Sequence, residues 1–93
     1  MVAREYLWTE EALADVRRRK IALEEVDHAL HAPPGLRFER RLGDLLVVVM
    51  GMAGSGRVIA VICEGVARTN RYKILRARAL EGPELDEWRR RVL

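Results

Sequence analysis

Apolar positions in this chain recur at helical spacing up to about residue 31 and at strand spacing after residue 36. Arg4-Glu5-Tyr6-Leu7-Trp8 reads as a short strand leading into a helix. Thr9 offers a side-chain oxygen as N-cap, and Glu10 and Glu11 place negative charge at the positive end of the helix dipole. Arg17-Arg18-Arg19-Lys20 suits the other end, so a first helix is expected over residues 9–19, with Leu13 and Val16 as its apolar stripe. Leu23, Val26 and Leu30 recur at i, i+3 and i+7, which predicts a second helix from Ala22 to His31. Pro33-Pro34-Gly35 ends it.

The period then changes. Phe38, Arg40 and Leu42 alternate with Arg37, Glu39 and Arg41, a strand with an exposed polar face. Gly43-Asp44 turns the chain into Leu45–Met50, an unbroken apolar run suited to a central strand covered on both faces. Ala53-Gly54-Ser55-Gly56 reads as a hairpin connection to a partner strand, Arg57–Cys63. A last strand is expected from Arg71 to Ala79. Gly82-Pro83 then opens a helix with Glu84, Asp86 and Glu87 early, Leu85, Trp88 and Val92 as its stripe, and Arg89-Arg90-Arg91 at its end. The short connections predict an α+β fold in a single domain, residues 1–93. It consists of a small, mainly antiparallel four-to-five-stranded sheet with two N-terminal helices on one face and a C-terminal helix.

An apolar share of 49% and a charged share of 33% describe a chain that can bury one core. The longest apolar stretch, Leu45–Met50, is far short of the ~20 residues a membrane helix needs. No secretory signal pattern opens the chain, so no membrane contact and a cytoplasmic location are expected. The lone cysteine, Cys63, lies inside an apolar run and reads as a small buried hydrophobe in a reducing compartment.

Charge sharpens this picture. Residues 37–79 carry nine Arg or Lys against three Asp or Glu, whereas the flanking segments are mildly acidic. A strand-rich centre that presents cations attracts polyanions at long range. Strict alternation along the last strand places Tyr72, Ile74, Arg76 and Arg78 on one side and Arg71, Lys73, Leu75 and Ala77 on the other. Arg76 and Arg78 then lie about 7 Å apart, a spacing that can grip two phosphates or one phosphate in its transition state. Ion pairs to the acidic C-terminal helix are the competing use of the same arginines. Arg17-Arg18-Arg19-Lys20 cannot all share one helical face, so a phosphate-contact role for part of the run competes with simple dipole compensation.

Other constellations are weaker. His28 and His31 stand i, i+3 without a third ligand at useful spacing, so no metal and no cofactor are expected. Gly51-Met52-Ala53-Gly54-Ser55-Gly56 lacks the Lys-Ser/Thr of a phosphate loop and joins strand to strand. No Ser-His-Asp arrangement can be assembled.

Taken together, several segments resemble a known family. Trp8-Thr9 opening a helix, and then Arg19-Lys20-Ile21-Ala22-Leu23-Glu24-Glu25-Val26, are similar to the hinge and second helix of BrnT-like toxins and the related DUF4258 domains. Gly56-Arg57-Val58-Ile59-Ala60-Val61 resembles their "G-R-x-hydrophobic" strand. Ile74-Leu75-Arg76-Ala77-Arg78-Ala79, followed by Glu84, Trp88 and Arg89, resembles their closing strand and helix. The resemblance implies a RelE-like fold and a type II toxin–antitoxin toxin that acts on RNA or the translating ribosome and is neutralised by a cognate antitoxin protein. It places the family's strand arginine on Arg78. The histidine frequent before the second helix is replaced here by the Arg18-Arg19-Lys20 run, and Glu11 stands where DUF4258 domains often carry histidine.

Arg78 and Arg76 are therefore the candidate catalytic residues of a metal-independent endoribonuclease. Arg71, Lys73, Arg18, Arg19, Lys20, Arg40 and Arg41 are candidate RNA-binding residues. The alternative is a non-catalytic, toxin-derived binding module that engages an acidic protein partner. Self-association into a homodimer through a sheet edge or Trp8 and Trp88 is compatible with either.

Overall fold

Local chemistry sets most of the elements. The computed structural model of the chain describes residues 3–92. The order is β1 (Glu5–Trp8), α1 (Glu10–Arg18), α2 (Leu23–Leu30), a 3-10 turn (Pro34–Leu36), β2 (Arg37–Arg41), β3 (Leu46–Met52), β4 (Val58–Gly65), β5 (Arg71–Ala79) and α3 (Gly82–Val92). Thr9 Oγ1 accepts from Ala12 N and so caps α1. At the other end Ile21 N bonds to Val16 O and Lys20 N to Arg17 O, a Schellman closure. It places Lys20 at φ 57, a left-handed conformation that is uncommon for a residue with a Cβ.

The strands form one five-stranded sheet in the order β1-β5-β4-β3-β2. Hairpin connections make β2 through β5 antiparallel, whereas β1 pairs with β5 in parallel, Tyr6 opposite Tyr72 and Trp8 opposite Ile74. The sheet is thus mixed, where short connections alone suggest mainly antiparallel pairing. β1 lies at the far end of the chain from β5, so no tight turn dictates its direction.

α1 and α2 cover one face of the sheet. Ala12, Val16, Val26, Ala29 and Leu30 pack there on Val47, Val49, Ile59, Val61, Cys63, Ile74 and Ala77. Leu23 does not join this core: it is 49% exposed, and α2 turns Glu25, Val26, Ala29 and Leu30 inward instead. α2 lies so close to β3 that a Cβ on Gly51 would meet the Ala29 carbonyl oxygen at 2.2 Å, which only glycine avoids. α3 packs on the opposite face, where Trp88 is 1% exposed among Val58, Ala60 and Leu80 and donates from Nε1 to Met50 O at 2.8 Å.

β5 breaks the strict alternation expected of it. Its register against β4 shifts between Ile62 opposite Arg76 and Cys63 opposite Ile74, leaving Leu75 as an extra residue in a β-bulge. The bulge reverses the facing of everything beyond it. Tyr72, Ile74 and Ala77 face α1 and α2, whereas Lys73, Arg76 and Arg78 emerge together on the α3 face. Arg76 and Arg78 therefore do not share a side with Tyr72 and Ile74; they join the cation that strict alternation placed opposite them.

Candidate nucleic-acid interface

Pairing fixes which side chains line up across the α3 face. Residues directly opposite in adjacent strands point to the same side of a sheet, so the register draws rows perpendicular to the strands. One row runs Phe38, Met50, Ala60, Arg78, and the next runs Arg40, Val48, Ile62, Arg76. The third runs Leu46, Glu64, Lys73, Leu7.

α3 covers the first row. Phe38 and Met50 pack against the Trp88 cluster, and Arg91 lies over the Phe38 ring at 5.1 Å. Arg78 donates both arms of its fork to Glu84 at 2.7 and 2.5 Å. That pairing raises the Arg78 pKa, chiefly through the hydrogen bond to Glu84, and holds Glu84 below the ordinary carboxylate range for the same reason. The arginine singled out as catalytic is thus already bound to a carboxylate of its own chain.

The second row stays open. Val48 and Ile62 are half-buried, and Arg40 and Arg76 are exposed. Among the described residues neither arginine has an ion-pair partner within 4.0 Å. A cleft of about 240 Å³ lies at its Arg76 end, lined by Val48, Ala60 and Ile62 with Arg19, Arg76 and Arg78 among its walls.

Arg19 reaches this cleft from α1 because of Asp15. β1 ends at Trp8, opposite Ile74, so beyond the bulge no strand pairs with the outer edge of β5. Asp15 Oδ2 accepts from Ala77 N at 3.3 Å on that edge, while Oδ1 accepts from Arg18 at 2.6 Å and Arg19 at 3.0 Å. Burial opposes ionisation of Asp15, which is 6% exposed, but the bonds from Arg19 and Ala77 and the charges of Arg19 and Arg18 outweigh it and lower its pKa. One carboxylate therefore closes a bulged strand edge and gathers two arginines beside Arg76.

The remaining sequence candidates disperse. Lys73 is exposed one row further out. Arg71 pairs with Glu5 at 3.6 Å at the start of β5. Lys20 is exposed past the end of α1, and its carbonyl accepts from Arg57 at 3.4 Å. Arg41 is opposite Val47, so it points to the α1/α2 side of the sheet, away from Arg40. The structure thus brings together Arg76, Arg78, Arg18 and Arg19 around β5 and places Arg40 at the other end of the open row.

Neither histidine lines the cleft. His28 Nδ1 accepts from Gly54 N at 3.0 Å, which pins the β3–β4 hairpin to α2. Glu25 strengthens the same junction, accepting from Ser55 Oγ at 2.7 Å, Ala22 N at 3.0 Å and Arg57 at 3.2 Å. His31 bonds to the Asp27 carbonyl and meets the edge of Tyr6. Among the described residues no group of three His, Cys, Asp or Glu could hold a metal ion, and no helix is long and apolar enough to cross a membrane.

Asp15, Val48 and Ile62 escape a reading of the sequence as a site. The i, i+3 and i, i+4 spacing of Asp15 to Arg18 and Arg19 is a legible ion-pair signal, but its reach to Ala77 is not. With the geometry in place, comparisons with family models and with curated proteins found no match.

Proposed function

We propose that this protein is a RelE-like, toxin-type domain that acts in the bacterial cytoplasm by gripping RNA, free or on the ribosome, through the arginines around β5. One observation carries the reading: Arg76 stands exposed and without a carboxylate partner at the mouth of an apolar-floored cleft, with Arg18 and Arg19 gathered beside it. A guanidinium left free in such a place favours the planar, bidentate hydrogen bonding that phosphate oxygens offer. If the domain cleaves RNA, Arg76 is the group free to stabilise charge on the phosphate, and Arg78 can share that work only after Glu84 releases it. The 2′-hydroxyl of the RNA would then be the nucleophile.

Titration of a labelled single-stranded RNA at several salt concentrations tests this. Arg76→Ala should weaken binding and lower the salt slope by about 0.7, the loss of one phosphate contact on a single strand. In a bacterial host, induced wild type should arrest growth and Arg76→Ala should not. Binding unchanged by Arg76→Ala removes this arginine from the interface.

A second reading has its own support. Arg78 already holds the Glu84 carboxylate, so the same forks suit an acidic protein partner such as an antitoxin. That reading predicts harmless expression, no RNA cleavage and a saturable protein complex broken by the same substitution.

A further inference from the structure

The open row is more than a set of cations. From one edge strand to β5 it reads Arg40, Val48, Ile62, Arg76, all on one face and directly opposite one another. Three strand spacings of about 4.8 Å put its two arginines roughly 14 Å apart. Between them lie two partly buried aliphatic side chains, Val48 at the rim of the Trp88 cluster and Ile62 beyond it, and at the Arg76 end they line the cleft of about 240 Å³. That space is many times the ~10–15 Å³ of cavity that one water needs, room enough for a planar heterocycle. A surface built only to attract polyanions has no need of an apolar centre, because phosphate contacts carry no demand for one.

We infer that Val48 and Ile62 form a base subsite: an unpaired RNA strand crosses the sheet along this row, its phosphates held at Arg40 and Arg76 and one splayed base lying on the two aliphatic side chains. Charge complementarity selects the occupant, since the guanidinium groups at both ends of the row have no described carboxylate within 4.0 Å. The base lies against Ile62, and the guanidinium planes of Arg76 and Arg19 at the cleft wall can stack on it, as arginine does on unstacked bases. A duplex cannot use the subsite, because its bases are stacked and paired. The inference rests on the RNA-binding reading and narrows it to unpaired strands.

The test compares three probes with equal numbers of phosphates at one salt concentration: an unpaired oligoribonucleotide, a hairpin of the same length whose bases are paired, and inorganic polyphosphate, which has no bases. The unpaired strand should bind most tightly. Ile62→Ala should weaken it about fivefold, the low end of what one base contact contributes, and leave polyphosphate binding unchanged. Ile62→Tyr, which keeps a strand-favouring side chain and offers an aromatic floor, should tighten the unpaired strand alone. It also decides the matter if the alanine variant fails to fold. Equal affinity for the unpaired strand and polyphosphate, or substitutions that shift both probes alike, overturns the base subsite while leaving a plain polyanion cleft. Failure of all three probes to bind at low salt overturns the RNA-binding reading itself.

Discussion

Replacing Asp15 by alanine removes three bonds from one buried atom pair, and the structure lets their sizes be separated. Ala77 is 1% exposed, and its N–H on the free edge of β5 has Asp15 as its acceptor. A buried donor left without a partner costs about 1–3 kcal/mol. The two arginines contribute less, because Arg18 and Arg19 are 72% and 43% exposed and such pairs are worth under about 1 kcal/mol each. Asp15→Ala should therefore destabilise the fold by about 2–4 kcal/mol. Urea unfolding of a domain this size has a slope near ~1 kcal/mol/M, so the midpoint should fall by roughly 2 M or more. Asp15→Asn keeps an acceptor for Ala77 and should recover about half of the loss. The pH dependence has a definite sign. The folded pKa of Asp15 is depressed, so its contribution is present above the unfolded carboxylate value near ~4 and is lost as pH falls through the folded value. The gap between wild type and Asp15→Ala should consequently narrow in acid as the two arginine bonds weaken, while a protonated carboxyl still accepts from Ala77 N. Equal urea midpoints at neutral pH, or a gap that persists undiminished at low pH, would refute this account of the β5 edge.

Three further outcomes are expected. Glu84→Gln should free Arg78 and steepen the salt dependence of RNA binding by about 0.7, measured by the same titration; an unchanged slope means that Arg78 does not meet phosphate. Gly51→Ala should cost about 3 kcal/mol in urea unfolding, because the new methyl meets the Ala29 backbone carbonyl and not a flexible side chain. Burial pushes the Cys63 thiol up to about 12, so the native protein should resist thiol reagents at pH 8 and react only once unfolded; rapid labelling of the native state would contradict its position in the core.

Much of the fold was legible because its signals are local. Thr9 caps α1 through an atom three residues from its donor, and the hairpin at 53–56 joins neighbours in sequence. Glu84 lies six residues from Arg78, so the competing ion-pair use of that arginine was visible in the acidic start of the last helix. The second helix was legible as a helix and largely in its facing: of the i, i+3, i+7 set Val26 and Leu30 are buried, whereas Leu23 is exposed and Glu25, bonded to Ser55 and Arg57, is buried on the inner side.

By itself the sequence determined the element order, the mixture of helix and strand, and the concentration of cations around the last strand, because capping, turn chemistry and apolar periodicity act over a few residues. Only the tertiary structure decided which cations work together. The bulge at Leu75 arises where β5 matches β4 on one side and Asp15 on the other, so no pattern within β5 announces it. That one extra residue carries Arg76 and Arg78 to the α3 face, where Glu84 occupies one and leaves the other open.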